Sequence, residues 1–270
     1  MIYMTKSQLF DGKSLLKGVL YLTSAVVILE GAFRLQNRGS AFMNEYMHIT
    51  ASPAVAVLTC ILSKPTNKTL LPTKTVFNNF GTGIVLGSSI YFGWLWVAAS
   101  SNWIQTSEWG WKTNSIHQLV FSILITTIGH FAVSINEEQV FRGYGYDIWS
   151  KAIGPIGATV FLGGLFTLGH RPKTLAAASG YFTMALLLTE LRKHSNSLAI
   201  PIGYHWSWNI SQLVIFGHDK RASLRPIAID GPSHIVGTNS PESGWLMTLF
   251  HIGAIVITIV VSRYKKSLEK

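Results

Sequence analysis

The chain has 270 residues, of which 48% are hydrophobic and only 13% charged, and its mean hydropathy is +0.32. A soluble domain of this size normally carries more charge, so the composition points to a lipid bilayer. The formal net charge of +10 would suit nucleic acid only if the basic residues formed a patch or stripe; they are scattered at the ends of apolar runs, which argues for no nucleic-acid partner and fits membrane topology.

A spanning helix needs about 20 mostly apolar residues, and the first candidate lies at 17–33, preceded by Lys13 and Lys17. Glu30 interrupts this run and no clear A-x-A cleavage site follows, so it reads as an uncleaved helix and not as a signal peptide. The stretch 50–63, TASPAVAVLTCILS, is short for a span and fits a tilted eighth helix or a re-entrant piece. It holds Cys60, the single cysteine, so there is no disulfide framework and no thiolate zinc site. A polar, proline-containing loop at 63–74 leads to further candidate spans at 83–104, 116–136, 152–170, 174–191, 198–217 and 244–262. Residues 218–243 are too polar and too rich in Gly and Pro to span, and they read as a long loop of the kind that often forms a lid.

The expected fold class is therefore all-α: a polytopic, multi-pass integral membrane protein with a bundle of 7 to 8 transmembrane helices. Residues 1–115 are expected to form N-terminal transmembrane helices and a loop, residues 116–262 a catalytic helical core, and residues 263–270 a basic C-terminal tail. With eight spans and both termini in the cytoplasm, 14 of the 22 Lys and Arg residues fall inside, in line with the positive-inside rule. If the chain is bacterial, its place is the cytoplasmic membrane.

Ionisable residues concentrate between 116 and 217, in three clusters. In the first, SINEEQVFRG (134–143), Glu138 and Arg142 are four apart on one helix face, in the orientation that favours an ion pair. Glu137 points about 100° away, which predicts a division of labour: Glu138 held charged and structural, Glu137 facing a cavity. The second cluster, FTLGH, ends in His170. In the third, HWSWN, His205 and Asn209 are four apart and share a face. If the chain turns at Gly154 and Pro155, Glu137 lies 17 residues before the turn and His170 lies 16 after it, so both sit about 25 Å from it. That estimate assumes an unbroken helix from about 116 to 150. The same exercise from Ser195 places Asn209 near that level and His205 about two turns shallower.

A carboxylate facing a neutral imidazole can hold and deprotonate a water, while an imidazole and an amide on a third helix can donate to a developing oxyanion. That inventory suits hydrolysis of a carbonyl compound such as a peptide, with Glu137 as general base, His170 orienting it or sharing the proton, and His205 and Asn209 stabilising the tetrahedral intermediate. No H-E-x-x-H is present, which argues against a common zincin arrangement. Among the other histidines, His130 is expected to be packed or interfacial, and His117, His194, His218, His234 and His251 peripheral. The nine Trp fit interfacial belts, with Trp206 and Trp208 as candidates to shape a cleft.

At these residues the chain resembles the CAAX prenyl endopeptidase and bacteriocin-processing (CPBP, or Abi) family of intramembrane endopeptidases. Glu137, Glu138 and Arg142 match its EExxxR motif, Phe166 and His170 its FxxxH, and His205 and Asn209 its HxxxN. The segment DGPSHIVGTNSPESGWL also looks like the family's late Gly and Pro-Glu stretch before the last helix. Over about residues 116–262 the resemblance implies a polytopic α-helical endopeptidase, described for the family both as a glutamic protease and as a metalloendopeptidase. The polar set is complete for metal-free catalysis with no cofactor required. It also offers candidate ligands for a divalent metal such as zinc in Glu137, His170 and His205. The implied partners are the lipid bilayer and a membrane-associated peptide, prenylated or carrying a leader. Two other classes compete: a proton-coupled transporter, disfavoured by the lack of an evident inverted repeat, and a non-catalytic peptide-binding or immunity protein on the same fold.

Overall fold

A computed structural model describes residues 11–36, 51, 54–55, 57–59, 61, 74–217, 222–238 and 240–268. Cys60, most of the 63–74 loop and His218 lie outside the described residues, as does part of the stretch 50–63; its described residues are helical, and Val55 is buried. The chain is mostly helical, at 82%. The long helices are α1 (Gly12–Gln36), α2 (Lys74–Ser100), α3 (Ile116–Phe141), α4 (Tyr144–Gly169), α5 (Leu175–Ser195), α6 (Ala199–Ile210) and α7 (Trp245–Leu268).

Three described stretches are long and apolar enough to cross a membrane: Lys74–Ser100, Ile116–Gly169 and Trp245–Tyr264. The expected count of seven to eight spans goes beyond these three. The fold is also not purely helical. Ile104–Thr106 pairs antiparallel with Ile227–Ile229, Gln105 opposite Ala228, so the segment expected to be a loop contributes a strand. It also holds a helical turn at Ser233–Val236 and a 3-10 turn at Pro241–Ser243.

Local chemistry explains the breaks that position the site. Ser115 caps α3 in a reciprocal capping box with Gln118, which satisfies two backbone N–H groups at the helix start. The helix ends at Phe141 because Arg142 leaves helical geometry (φ −121°, ψ −12°) while its backbone N–H still donates to the Glu138 carbonyl. The expected unbroken helix from 116 to 150 is thus interrupted at 142–143. Gly145 permits the tight restart, since a Cβ there would stand 1.8 Å from the Val140 carbonyl oxygen.

Helix α4 is itself two arms. At Gly154 the backbone adopts φ 79°, ψ 160°, a conformation glycine tolerates, and Pro155 then lacks the N–H that would continue the first arm. The reversal is visible in the rings: Trp149 and Phe161 have centroids 4.4 Å apart, whereas twelve residues of straight helix would separate them by about 18 Å. Further along, Phe141 and Phe166 stand edge to face at 5.4 Å. Glu137 lies one turn before Phe141 and His170 one turn after Phe166, so the reversal carries both toward the same level despite the break at 142–143.

Helix α6 is fixed against α2 by backbone contact. A Cβ on Gly83 would lie 2.1 Å from the Ile200 carbonyl oxygen, and one on Gly203 would lie 2.3 Å from that of Phe80. Small residues of this kind let helices approach closely where lipid offers no hydrophobic drive to association. On its other side α6 joins a core in which Tyr204 and Trp208 pack with Tyr91, Met184, Leu188 and Met247.

Candidate active site

The last turn of α3 places its two carboxylates in different surroundings. Glu138 is fully buried, and its Oε1 accepts from Arg142 Nη1 at 3.0 Å and from His205 Nδ1 at 2.9 Å. The Arg142 guanidinium is also buried and lies 4.4 Å from the centre of the Phe166 ring. Its carbonyl accepts from Arg192 Nε at 3.0 Å. Charge, ring face and backbone thus hold one Arg in one orientation, which offsets much of the cost of burying it. Glu137 keeps 21% of its side chain exposed, and its Oε2 lies 3.9 Å from His205 Nε2.

His205 therefore stands between the two carboxylates. Because an ionised carboxylate only accepts, Nδ1 is the donor to Glu138, and Nε2 is the nitrogen turned toward Glu137. The expected two-turn gap between His205 and the Glu level does not occur: α6 crosses α3 so that the imidazole reaches both side chains. At 3.9 Å His205 Nε2 and Glu137 Oε2 are too far apart for a direct hydrogen bond.

His170 forms the C-terminal cap of α4. Its Nδ1 donates to the Phe166 carbonyl at 2.8 Å, leaving Nε2 as the reactive position, and its ring stacks on Tyr181 at 4.5 Å. Phe166 is the hub of the arrangement, with its ring 4.4 Å from His170 and 6.4 Å from His205. His170, His205 and Asn209 line one cavity of about 170 Å³, room for several waters. Glu137 reaches this group through His205.

As placed, the candidate metal ligands do not converge. Both Nδ1 atoms are engaged as donors. Among the described residues, no three His, Cys, Asp or Glu side chains stand close enough to share one ion.

Sequence reasoning missed three features of the cavity. Glu242 lines it and is buried, with Oε1 accepting from the Trp208 indole at 2.5 Å. Gln212 lines it from the π-helical segment Ser211–Ile215 that continues α6, a distortion that recurs at functional sites. Tyr181 supplies the stacking wall beside His170. His251, expected to be peripheral, is fully buried with Nδ1 3.3 Å from Thr183 Oγ1. Only the Pro-Glu pair at 241–242 gave a sequence signal, and it carried no position relative to α6. Trp206 sits elsewhere, donating to the Thr127 carbonyl and stacking on Phe80. His130 is half-buried, with Nδ1 3.0 Å from the Thr126 carbonyl.

Residues 117–211 match the family described as Type II CAAX prenyl endopeptidase Rce1-like. That segment contains all three motifs and ends one residue into the π-helical stretch. No curated protein and no solved structure matches the chain.

Proposed function

We propose that the chain is a membrane protease of the CPBP type, a reading supported by the match of residues 117–211 to the Rce1-like family, and that it cleaves a peptide bond of a membrane-associated substrate with water activated by its own side chains. The observation that carries this reading is His205 held between Glu138 at 2.9 Å and Glu137 at 3.9 Å on the edge of the cavity it shares with His170 and Asn209.

Glu137 takes a proton from the attacking water, which adds to the scissile carbonyl carbon as the C–O π electrons move to oxygen. His170, fixed by the Phe166 carbonyl, presents Nε2 to the same water and shares the proton. The oxyanion is met by the Asn209 amide and by His205, whose Nε2 donates when both ring nitrogens are protonated. Donors fixed in advance lose no reorganisation energy when the charge develops, and one such donor is worth about 10²–10³ in kcat. Collapse of the tetrahedral intermediate breaks the C–N bond, and the proton acquired from water passes to the leaving amine. Arg142 pairs with Glu138, and Glu138 sets the His205 tautomer.

This scheme routes no step through a metal. Gly83, Gly87 and Gly203 give α2 and α6 the intimate contact that a bilayer-embedded bundle needs. In this reading α3 and α4 each cross the membrane once and α1, α5 and α6 also cross it, giving seven passes with α2 and α7.

The test is cleavage of quenched-fluorescence peptides, one series ending in a farnesylated CAAX sequence and one carrying leader-peptide sequences, by purified protein in liposomes. Turnover is expected in the wild type and to survive a chelator, and Glu137→Ala and His170→Ala are each expected to lose about 10³-fold or more in kcat. Thermal midpoints near that of the wild type would show that both variants fold. Turnover retained in both variants overturns the mechanism.

A further inference from the structure

We infer that Glu242 makes the cavity selective for a cationic side chain, Lys or Arg, on the substrate; the inference rests on the proteolytic reading and adds a specificity determinant to it. Glu242 is the carboxylate among the cavity's described lining residues, with His170, His205, Asn209 and Gln212 as its polar company. Its relative exposure is 5%. The Oε1 atom is satisfied by the Trp208 indole, whereas Oε2 is buried with no hydrogen-bond partner among the described residues.

A charge in that position is costly unless something answers it. An uncompensated buried ion loses its hydration without recovering the energy, and ionisable groups at membrane depth normally face a partner or a pathway. No described Lys or Arg forms an ion pair with Glu242. The guanidinium of the site, Arg142, is committed to Glu138 at 3.0 Å.

The surroundings also hold the carboxylate still. Gly180 on α5 lets the backbone at Glu242 pack directly on the helix, since a Cβ there would lie 2.1 Å from the Glu242 carbonyl oxygen. Trp208, 1% exposed, anchors the other end. A fixed carboxylate with one oxygen lacking a hydrogen-bond partner among the described residues, on a residue that lines the cavity beside Gln212, matches an ammonium or guanidinium donor. It rejects an acidic side chain at the same position by like-charge repulsion.

The experiment measures equilibrium binding of fluorescent peptides to full-length Glu137→Gln protein in lipid nanodiscs, so that turnover does not intervene. Peptides differ at one position, occupied by Lys, norleucine or Glu, and that position is walked along the sequence. At one position the order Lys, then norleucine, then Glu is expected, with Lys bound about tenfold or more tightly than norleucine, the size of one charge-assisted hydrogen bond. Adding Glu242→Gln, whose amide oxygen still accepts from Trp208, is expected to bring the Lys peptide down to the norleucine peptide's affinity. The inference is overturned if no position shows that order, if the Lys preference survives Glu242→Gln, or if none of the peptides binds. Failure of the proteolytic reading would look different: wild-type protein would bind the Lys peptide selectively and leave it uncut.

Discussion

Two buried polar clusters are reached from helix α6, and they are built differently. At His205, opposite charges meet: the fully buried Glu138 takes a hydrogen bond from Arg142 and another from the imidazole through Oε1, while Glu138 Oε2 and Arg142 Nη2 have no hydrogen-bond partner among the described residues. At Trp208, the buried Glu242 is met by one neutral indole. Behind it, His251 pairs with Thr183 while its Nε2 has no hydrogen-bond partner among the described residues. The first cluster is closed in the sense that its carboxylate is paired with a cation. The second is open, which is why charge compensation there falls to a ligand.

The closed cluster gives the largest expected effect when broken. Arg142→Met removes the guanidinium and leaves Glu138 as an uncompensated buried charge, for which the expected loss of stability is about 3–5 kcal/mol. Thermal or denaturant unfolding in detergent would measure it. Because most of that cost is the stranded charge, the double variant Glu138→Gln with Arg142→Met is expected to recover much of the stability without recovering turnover, since the His205 tautomer loses its ionised acceptor. A double variant as unstable as the single one would mean that Arg142 acts through packing on Phe166 and not through charge.

The open cluster responds less. Trp208→Phe deletes the one hydrogen bond that Glu242 Oε1 receives, and a bond to a charged group is worth about 1.5–3 kcal/mol. The same unfolding measurement should show a loss in that range, smaller than for Arg142→Met. If the loss were as large, the indole and not a ligand would be what makes burial of Glu242 tolerable, and the contrast between the clusters would fail.

The difference in legibility follows the same division. Glu138 with Arg142, Phe166 with His170 and His205 with Asn209 are each four residues apart, so a helical reading alone pairs them, and the turn at Gly154 and Pro155 announces itself by residue type. The break at Arg142 and Gly143 is weaker in the sequence because the apolar run continues through it; what ends the helix is the guanidinium reaching back to Glu138 and forward to Phe166. Glu242 is out of reach of local patterns because its partner Trp208 lies 34 residues earlier in the chain, and polarity near a loop reads as solvent exposure. The strand at Ile227–Ile229 is hidden for a similar reason, since its partner at Ile104–Thr106 is more than a hundred residues away. Helix ends also differ from the sequence expectation: α2 begins at Lys74 and not near residue 83, because a helix continues through Asn78, Asn79 and Thr82 where an apolar count stops.

His251 provides the finest test of the comparison. It sits in an apolar run on α7, and nothing local marks it as inward-facing; the contact that fixes it is with Thr183 on α5, 68 residues earlier. Thr183 Oγ1 also donates to the Ser179 carbonyl at 2.8 Å, so the hydroxyl is shared and its link to the imidazole, at 3.3 Å, is long for a hydrogen bond. Thr183→Val keeps the shape and removes the hydroxyl, and with it the link to the imidazole and the bond to its own helix's carbonyls. The expected destabilisation is about 0.5–1.5 kcal/mol, the smallest of the series, read as a small fall in thermal midpoint. A cost approaching that of Trp208→Phe would show that α5 and α7 are joined through this polar pair and not mainly through Met184, Leu187, Leu188 and Met247, the buried apolar side chains of their shared core.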